Sequence, residues 1–409
     1  MQKAPISLFS NRNYVLLLGG QTVSVLGDFF GTAALSIVVY QLTGSALGLA
    51  LNWMVFYIPR SLIRLFGGVL VDRWDRRSMM LFTESTRGSL FALLAVAWFL
   101  NRVSMPLLLS ISFFVGLLGA LFQMAAMAVI PSIVERNELG RANSYFDGST
   151  QAATVLGWAV AGFSIALYGA SFAFAIDSVS FFVLVAALVF VRVPKMESVL
   201  QLRGALMRRF NEGFAFFKVR RELLWLSIYF GAINFFLAGY WNVYLLPFAL
   251  GSIHSGSVGY GLLNAAETFG LTVGSLVMGY IGTVRRRRAY LILSMVLAGC
   301  GITVFSFAGT LTVALLVIAL IGLAIPFASI VEDTIFQELV PDEIRGRVFG
   351  LKDFFSFMTI PVGTLVGGEF VQSMSLFDAI LLSGASIAVI SAVSFFVPSF
   401  RRLDLQNRD

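Results

Sequence analysis

Residues 291–308 read LILSMVLAGCGITVFSFA, a stretch of eighteen residues without a charge that begins three residues after the last of four arginines, Arg285 to Arg288. A bilayer core roughly 30 Å thick needs about 20 predominantly apolar residues in a spanning helix. The stretch shows no alternation of polar and apolar residues, the pattern typical of a strand in a membrane barrel. It therefore predicts a transmembrane helix with basic residues at one end, and residues 90–100, LFALLAVAWFL, repeat the pattern.

The composition of the whole chain extends this prediction. Of 409 residues 58% are hydrophobic and 12% charged, with a mean hydropathy of +0.86, whereas a soluble domain has about 25% charged residues. The chain is long enough for about twelve spans, and we predict an all-α membrane protein of twelve transmembrane helices in two six-helix bundles. The predicted spans begin near Asn13, Ala46, Ser78, Ser104, Arg141, Ser171, Leu223, Ser255, Ala289, Leu311, Gly346 and Leu376.

The basic residues predict the orientation in the membrane. With both termini in the cytoplasm, 25 of the 29 Lys and Arg residues lie on that side or at its membrane boundary. Arg60, Arg64 and Arg87 fall inside helices, and only Arg102 lies outside. This asymmetry follows the positive-inside rule. Basic loops that face anionic lipid also account for the net charge of +7 without a nucleic-acid partner.

A basic segment from Arg192 to Arg221 divides the predicted spans six and six. We therefore predict an N-terminal bundle over 1–191, a linker over 192–222 and a C-terminal bundle over 223–409. The linker has an apolar residue at every fourth position, as expected of an amphipathic helix on the inner leaflet. These residues are Leu202, Leu206, Phe210 and Phe214.

The two halves resemble one another where their fourth and fifth spans are joined. Residues 133–141 match residues 339–347 at a constant offset of 206, through Ile133-Val134 and Gly140-Arg141 in the first half. The same offset carries Asp147 onto Asp353. Duplicated six-helix halves around a central site are typical of secondary transporters.

The junction of spans two and three carries the most specific motif, GGVLVDRWDRR at residues 67–77. It resembles the cytoplasmic signature of the major facilitator superfamily, and Asp75 in place of a later glycine resembles the macrolide-efflux-type exporters. Residues 24–28 (SVLGD) and 40–45 (YQLTGS) match that branch too. The candidate gate residues are Gly68, Asp72, Arg73, Asp75, Arg76 and Arg77.

The resemblance implies two bundles that rock about a central cavity, with Asp72 near the start of span eleven at Arg345-Gly346-Arg347. A carboxylate suits a positive helix end flanked by arginines. The alternative for the arginines is that they only obey the positive-inside rule. The matching loop of the second half has no aspartate, and span four has no arginine. Residues Gly157-Trp158 stand where proton-coupled drug antiporters commonly have Gly-Pro. These departures weigh against proton antiport more than against transport.

Ionisable residues inside the spans are costly and usually face a cavity or one another. At about 1.5 Å per residue, several lie at a similar depth near the cytoplasmic boundary. We interpret them as a gate charge network, with a static structural network as the alternative. Its members are Arg64, Glu84, Arg87 and Asp147 in the first half, and Asp333, Arg347, Lys352 and Asp353 in the second.

Three charged residues lie deeper, at roughly 22 Å for Asp28, 16 Å for Arg60 and 25 Å for Glu267, and are candidates for the central cavity. Asp28 could carry a proton, contact a substrate cation or pair with an arginine one turn away. Glu267 is either a hydrogen-bonded buried acid or a functional one. Of the aromatic residues in span seven, Phe236 and Tyr240 are the candidates for the cavity. Asp177 and Asp378, nearer the other face, are expected to be solvated or to cap helices.

The function that these observations favour is export of small amphipathic or drug-like molecules by alternating access, driven by protons or another ion. The alternatives are a specific transporter of a metabolite, siderophore or lipid, anionic if the arginines bind it, and, more remotely, a membrane-embedded enzyme or receptor. No phosphate-binding loop or catalytic motif is present, so we expect no enzymatic activity and no cofactor. One histidine and one cysteine give no basis for a metal site. We expect a monomer in the cytoplasmic membrane of a bacterium.

Overall fold

A computed structural model describes residues 8–71, 74–193 and 213–405, and within these ranges the chain forms helices and no strands. Nothing is described of the side chains of 64–71 and 405. The helices are α1 (Arg12–Thr43), α2 (Ala46–Val71), α3 (Arg76–Phe99), α4 (Met105–Ile133), α5 (Leu139–Phe190), α6 (Arg221–Gly239), α7 (Gly256–Ile281), α8 (Arg287–Phe305), α9 (Leu311–Leu339), α10 (Arg345–Phe357), α11 (Thr359–Ser373), α12 (Leu376–Ser394) and α13 (Pro398–Leu405). Short 3₁₀ turns precede α1 and α10.

Nine helical segments in the described ranges are long and apolar enough to cross a membrane. One of them is α5, whose 52 residues make two spans, and another joins α10 to α11. The more polar α3 and α7 have 24 and 26 residues, which at about 1.5 Å per residue also exceed a 30 Å core. Twelve spans result, and their predicted starts are confirmed to within three residues.

The two spans of α5 meet at Gly169, the one residue inside the helix with non-helical angles (φ 80°, ψ 175°). A positive φ is sterically free only for glycine. The chain therefore reverses between two spans with almost no loop.

The internal repeat is visible in the helix boundaries. Helices α4 and α9 both have 29 residues, and the offset of 206 carries Met105 onto Leu311 and Ile133 onto Leu339. The same offset carries the first residue of α5 onto the first residue of α10. The similarity inferred from a few residues thus extends over a complete span and the start of the next.

The chain forms two compact units. Unit 1 comprises Met1–Leu42 and Ile58–Val199, and unit 2 comprises Thr43–Tyr57 and Leu200–Asp409. Helix α2 therefore contributes residues 46–57 to unit 2, where Tyr57 donates a hydrogen bond to Asn242 Oδ1 at 3.3 Å. The predicted bundles 1–191 and 223–409 stay a prediction. Most of the predicted amphipathic linker lies outside the described residues, which resume in a helix at 213–219.

Glycines allow close backbone packing inside unit 2. A Cβ atom at Gly322 of α9 would collide with the main-chain oxygen of Glu267 in α7, and one at Gly270 would collide with the main chain of α9 at Ala319. Small residues let spans approach where lipid supplies no hydrophobic driving force. This contact fixes α7, and with it Glu267, against α9.

Candidate functional site

The charged centre of unit 1 is the guanidinium of Arg87 on α3. Its Nη2 lies 2.6 Å from Asp28 Oδ1 on α1, and its Nη1 lies 2.8 Å from Glu84 Oε1 one turn earlier on α3. The side chains of Arg87 and Glu84 are 10% and 0% exposed, whereas that of Asp28 is 31% exposed. A buried charge is tolerated when it is paired and hydrogen-bonded, and here one arginine serves two acids.

Aromatic and polar neighbours complete the setting of Arg87. The guanidinium carbon lies 4.2 Å from the centroid of the Phe181 ring on α5, a cation–π geometry. Ser24 of α1 donates a hydrogen bond to Glu84 Oε2 at 3.3 Å. The stretch SVLGD at residues 24–28 thus supplies Ser24 to Glu84 and Asp28 to Arg87, while Gly27 gives room to Ser180 of α5.

A third acid, Asp177 of α5, lies beside this cluster. Its exposure is 0%, and neither carboxylate oxygen has a hydrogen-bond partner among the described residues. The hydroxyl of Ser180 donates instead to the main-chain carbonyl of Asp177 at 2.8 Å. A Cβ atom at Gly31 of α1 would collide with Asp177 Oδ2. The expectation that Asp177 is solvated or caps a helix is therefore wrong, because a glycine face of α1 covers it.

The predicted pairing of Asp28 with an arginine one turn away is replaced by the pairing with Arg87. Arg60 donates to Gln123 Oε1 on α4 at 3.4 Å, although its positive charge also acts on Asp28. Asp28 and Arg60, placed in the deeper group, therefore share one charged environment with Glu84 and Arg87, placed in the gate group. The prediction assigned these residues to two groups because their positions along the helices differ in depth. Their long side chains nevertheless bring the charges together.

The remaining acid of the predicted first-half network, Asp147, lies apart. It is exposed in a mostly exposed start of α5, and no ion pair to it is present in the described part of the chain. A common depth was a poor guide because it does not specify which face of the helix carries the residue. The side chain of Arg64 lies outside the described residues.

The described residues of the motif at residues 67–77 contact main-chain groups of nearby helices. Asp75 caps α3, accepting from the Ser78 main-chain nitrogen at 2.8 Å and from its hydroxyl at 2.6 Å. Arg76 donates to the Ala128 carbonyl at 2.8 Å. Arg77 donates to the carbonyls of Leu188 and Val189 at 3.0 and 2.5 Å, near the end of α5 where helical partners run out. Gly68 lies in the part of α2 whose side chains are not described, and Asp72 and Arg73 lie outside the described residues.

Lys352 of α10 is a buried cation of unit 2, 6% exposed. Its Nζ contacts Asp333 and lies 3.7 Å from Glu332 Oε1, both on α9. Of the predicted second-half network, Asp333 and Lys352 are thus in contact, and Asp353 and Arg347 are half-buried on α10. Glu332 was not among the predicted residues, although its position next to Asp333 in an apolar span was a usable signal.

Another buried acid of unit 2 is Glu267 of α7, 5% exposed. It accepts a hydrogen bond from Trp241 Nε1 at 2.5 Å. Trp241 lies in a π-helical turn, Tyr240–Tyr244, that continues α6. Pro247 follows and has no N–H for the carbonyl of Val243, which favours such a turn. The turn directs Trp241 toward Glu267.

The two aromatic candidates for the cavity differ. Tyr240 is 0% exposed, and its ring lies edge-on to Phe305 at 5.8 Å. It is therefore a core residue, since the π-helical turn rotates it inward, and the expectation that it lines an open cavity is not met. Phe236 is half-buried and packs edge-on against Phe235 at 5.1 Å.

Comparisons with known proteins match this chain over almost its whole length. The family described as "Transmembrane secretion effector" matches residues 3–409. Macrolide efflux protein A of Streptococcus pyogenes is 24% identical over 397 residues, which cover 96% of this chain and 98% of that protein. The multidrug efflux pump Tap of Mycolicibacterium fortuitum is 22% identical over 415 residues, with coverage of 96% and 98%.

A solved structure shares the fold. The crystal structure of a bacterial homologue of the iron transporter ferroportin in an inward-facing state superposes with a TM-score of 0.73 at 16% sequence identity. The match covers 96% of this chain and 98% of that one.

Proposed function

Because this chain belongs to the transmembrane secretion effector family, the macrolide-efflux-type branch of the major facilitator superfamily, we propose that it exports amphipathic, drug-like molecules by alternating access coupled to protons. The chain is a transporter and not an enzyme, and its relatives are bacterial multi-pass membrane proteins. Two full-length relatives named for efflux of macrolides and of multiple drugs support the substrate class and the direction.

The observation that carries the proposal is the cluster of Arg87, Asp28 and Glu84. Breaking a buried ion pair costs about 3–5 kcal/mol, and a cluster that only held α1 to α3 could be replaced by apolar packing. Ionisable groups inside spans mark proton relays and substrate paths. Asp28 is half-buried and is the most exposed member of the cluster, so it is the group proposed to exchange with the aqueous cavity.

Glu267 is the proposed contact for the cationic group of a substrate. A buried carboxylate held by one indole N–H keeps its other oxygen for a ligand, and the Trp241 ring beside it suits a cation or a flat apolar surface. Its position in α7 is fixed by the glycine contact with α9.

Both termini are proposed to lie in the cytoplasm, and the protein is proposed to act as a monomer in contact with anionic lipid. The proposal rests on the 25 basic residues that this orientation places at the cytoplasmic boundary. Asp72 is the proposed gate residue. The later residues of the same motif, Asp75, Arg76 and Arg77, contact main-chain groups of α3, α4 and α5.

The test is collapse of a proton gradient in inverted membrane vesicles that contain the protein. We expect collapse on adding erythromycin or the lipophilic cation ethidium, and none in vesicles with Asp28→Asn. Asp378→Asn is the matched control, because the exposed Asp378 carboxylate accepts a hydrogen bond from Ser375, the N-cap of α12, and an amide oxygen can accept it too. Silence toward every cationic and neutral probe in vesicles shown to contain folded protein would contradict the proposal, and a response to anionic amphiphiles alone would favour a transporter of an anionic metabolite.

A further inference from the structure

We propose that Asp177 is a proton-binding site of this protein, and that loss of its proton recruits Arg87 away from Asp28. The inference deepens the proposed function and, for its link to transport, rests on it. It starts from the place of Asp177 in α5, which is fully buried while both of its carboxylate oxygens lack hydrogen-bond partners among the described residues.

Charged side chains from neighbouring helices face Asp177. From α1 it faces Asp28, and from α3 it faces Glu84 and Arg87. Arg60 of α2 acts on Asp28 from the edge of the cluster. With every group ionised, these described side chains carry three negative charges and two positive ones. Uncompensated charge inside a membrane is costly, so the cluster is neutral only when it also holds one proton.

The hydrogen bonds of the three acids indicate which of them holds that proton. Glu84 is bound by Arg87 at 2.8 Å and by Ser24 at 3.3 Å, and Asp28 is bound by Arg87 at 2.6 Å. Hydrogen bonds from charged donors stabilise the ionised form of an acid. Asp177 has none by geometry, since the nearby Ser180 hydroxyl is bound to a main-chain carbonyl. Asp177 is therefore the acid that holds the proton when Arg87 is bound to Asp28 and Glu84.

Deprotonation of Asp177 would change the hydrogen-bond partner of Arg87. Arg87 Nε is buried and has no hydrogen-bond partner among the described residues, so the guanidinium has a donor to spare. A buried carboxylate at Asp177 would attract Arg87, the one cation among the described side chains that acts on it. Asp28, the most exposed acid of the cluster, then loses its hydrogen bond from Arg87 and becomes able to bind a cationic substrate or a proton from water. One proton at Asp177 thus determines whether Asp28 is occupied by Arg87.

Close packing by α1 covers the carboxyl group of Asp177. A Cβ atom at Gly31 would collide with Asp177 Oδ2, and Phe91 borders the same point. The glycine therefore lets the main chain of α1 lie directly against this acid, which keeps it buried.

The first experiment detects the proton without transport. Infrared difference spectra of the protein in lipid nanodiscs, recorded against pH, should contain the C=O band of a protonated carboxyl that Asp177→Asn removes and Asp378→Asn leaves unchanged. If Asp177→Asn does not insert, Asp177→Glu serves, because the longer side chain shifts the band. A spectrum that neither substitution changes would overturn the proposal.

The second experiment connects the proton to transport. In inverted vesicles, Asp177→Asn should keep exchange of labelled erythromycin across the membrane while losing its accumulation driven by a proton gradient. Accumulation equal to that of the unmodified protein would overturn the role of Asp177. If the unmodified protein shows no gradient-driven accumulation although the infrared band is present, the proposed coupling fails and the proton site stands.

Discussion

Arg87 Nη2 lies 2.6 Å from Asp28 Oδ1, an ion pair that joins two residues 59 positions apart and connects α3 to α1. The contact belongs to a cluster whose other members are buried more deeply than Asp28. The most exposed acid of the cluster therefore shares its cation with acids that water reaches less.

Replacing Arg87 by Gln should destabilise the protein by about 3–5 kcal/mol, because two acids lose their cation, and should abolish transport. The measurement is thermal unfolding of the purified protein in detergent, with gradient collapse in vesicles as the functional test. Adding Glu84→Gln should recover part of the stability, since it removes one of the uncompensated charges. An Arg87→Gln protein as stable as the unmodified one would contradict the central place of Arg87.

Replacing Asp72 by Asn should abolish or strongly slow transport and leave membrane insertion intact, because the substitution removes the charge proposed to meet the start of span eleven. The matched control lies three residues away. Asp75→Ala should lower stability by about 1 kcal/mol through loss of the α3 cap, with transport nearly retained. Normal transport by Asp72→Asn would refute the gate assignment.

Replacing Glu267 by Gln should lower efflux of the cation ethidium more than efflux of a neutral amphiphile. The amide oxygen of Gln still accepts from Trp241, so the shape of the site is kept while its charge is lost. Trp241 fluorescence should therefore change little in the absence of substrate. Equal loss for both probes would mean that Glu267 has a structural role only.

Replacing Gly322 by Ala should destabilise unit 2 by about 1–3 kcal/mol, because its Cβ atom would collide with the main chain of α7. The control is Gly148→Ala in α5, where a Cβ atom meets nothing within 4 Å. Removing a helical glycine in open space should stabilise by about 0.5–1 kcal/mol. Thermal unfolding of the two variants should therefore move in opposite directions, and a Gly322→Ala protein of unchanged stability would disprove the close contact.

The helices were predictable from the sequence because the membrane imposes a length and a composition on each span. In the structure, Ser375 and Thr310 stand before α12 and α9 and accept hydrogen bonds from their first turns. The offset of 206, inferred from a few residues, proved to hold for the complete helices α4 and α9.

The side-chain contacts were less predictable. A position along a helix gives depth, whereas contact also requires the direction of the side chain and the identity of the neighbouring helix. Asp147 and Glu84 were placed at one level but face different surroundings, and Asp28 was separated from Arg87 although the two are in contact. Asp177 was wrongly expected to be solvated or to cap a helix for the same reason, although Gly27 and Gly31, one turn apart on α1, marked a narrow face able to approach it.

The equal lengths of α4 and α9 restrict how the two halves of the chain can diverge. Each residue added to a helix turns everything after it by about 100°, so one inserted residue would present the wrong side of the following span to its neighbours. Substitutions can accumulate in both copies without this effect. Insertions and deletions should therefore be tolerated at the ends of these helices and selected against within them, and a single alanine inserted in the middle of α4 should be far more damaging than any one replacement there.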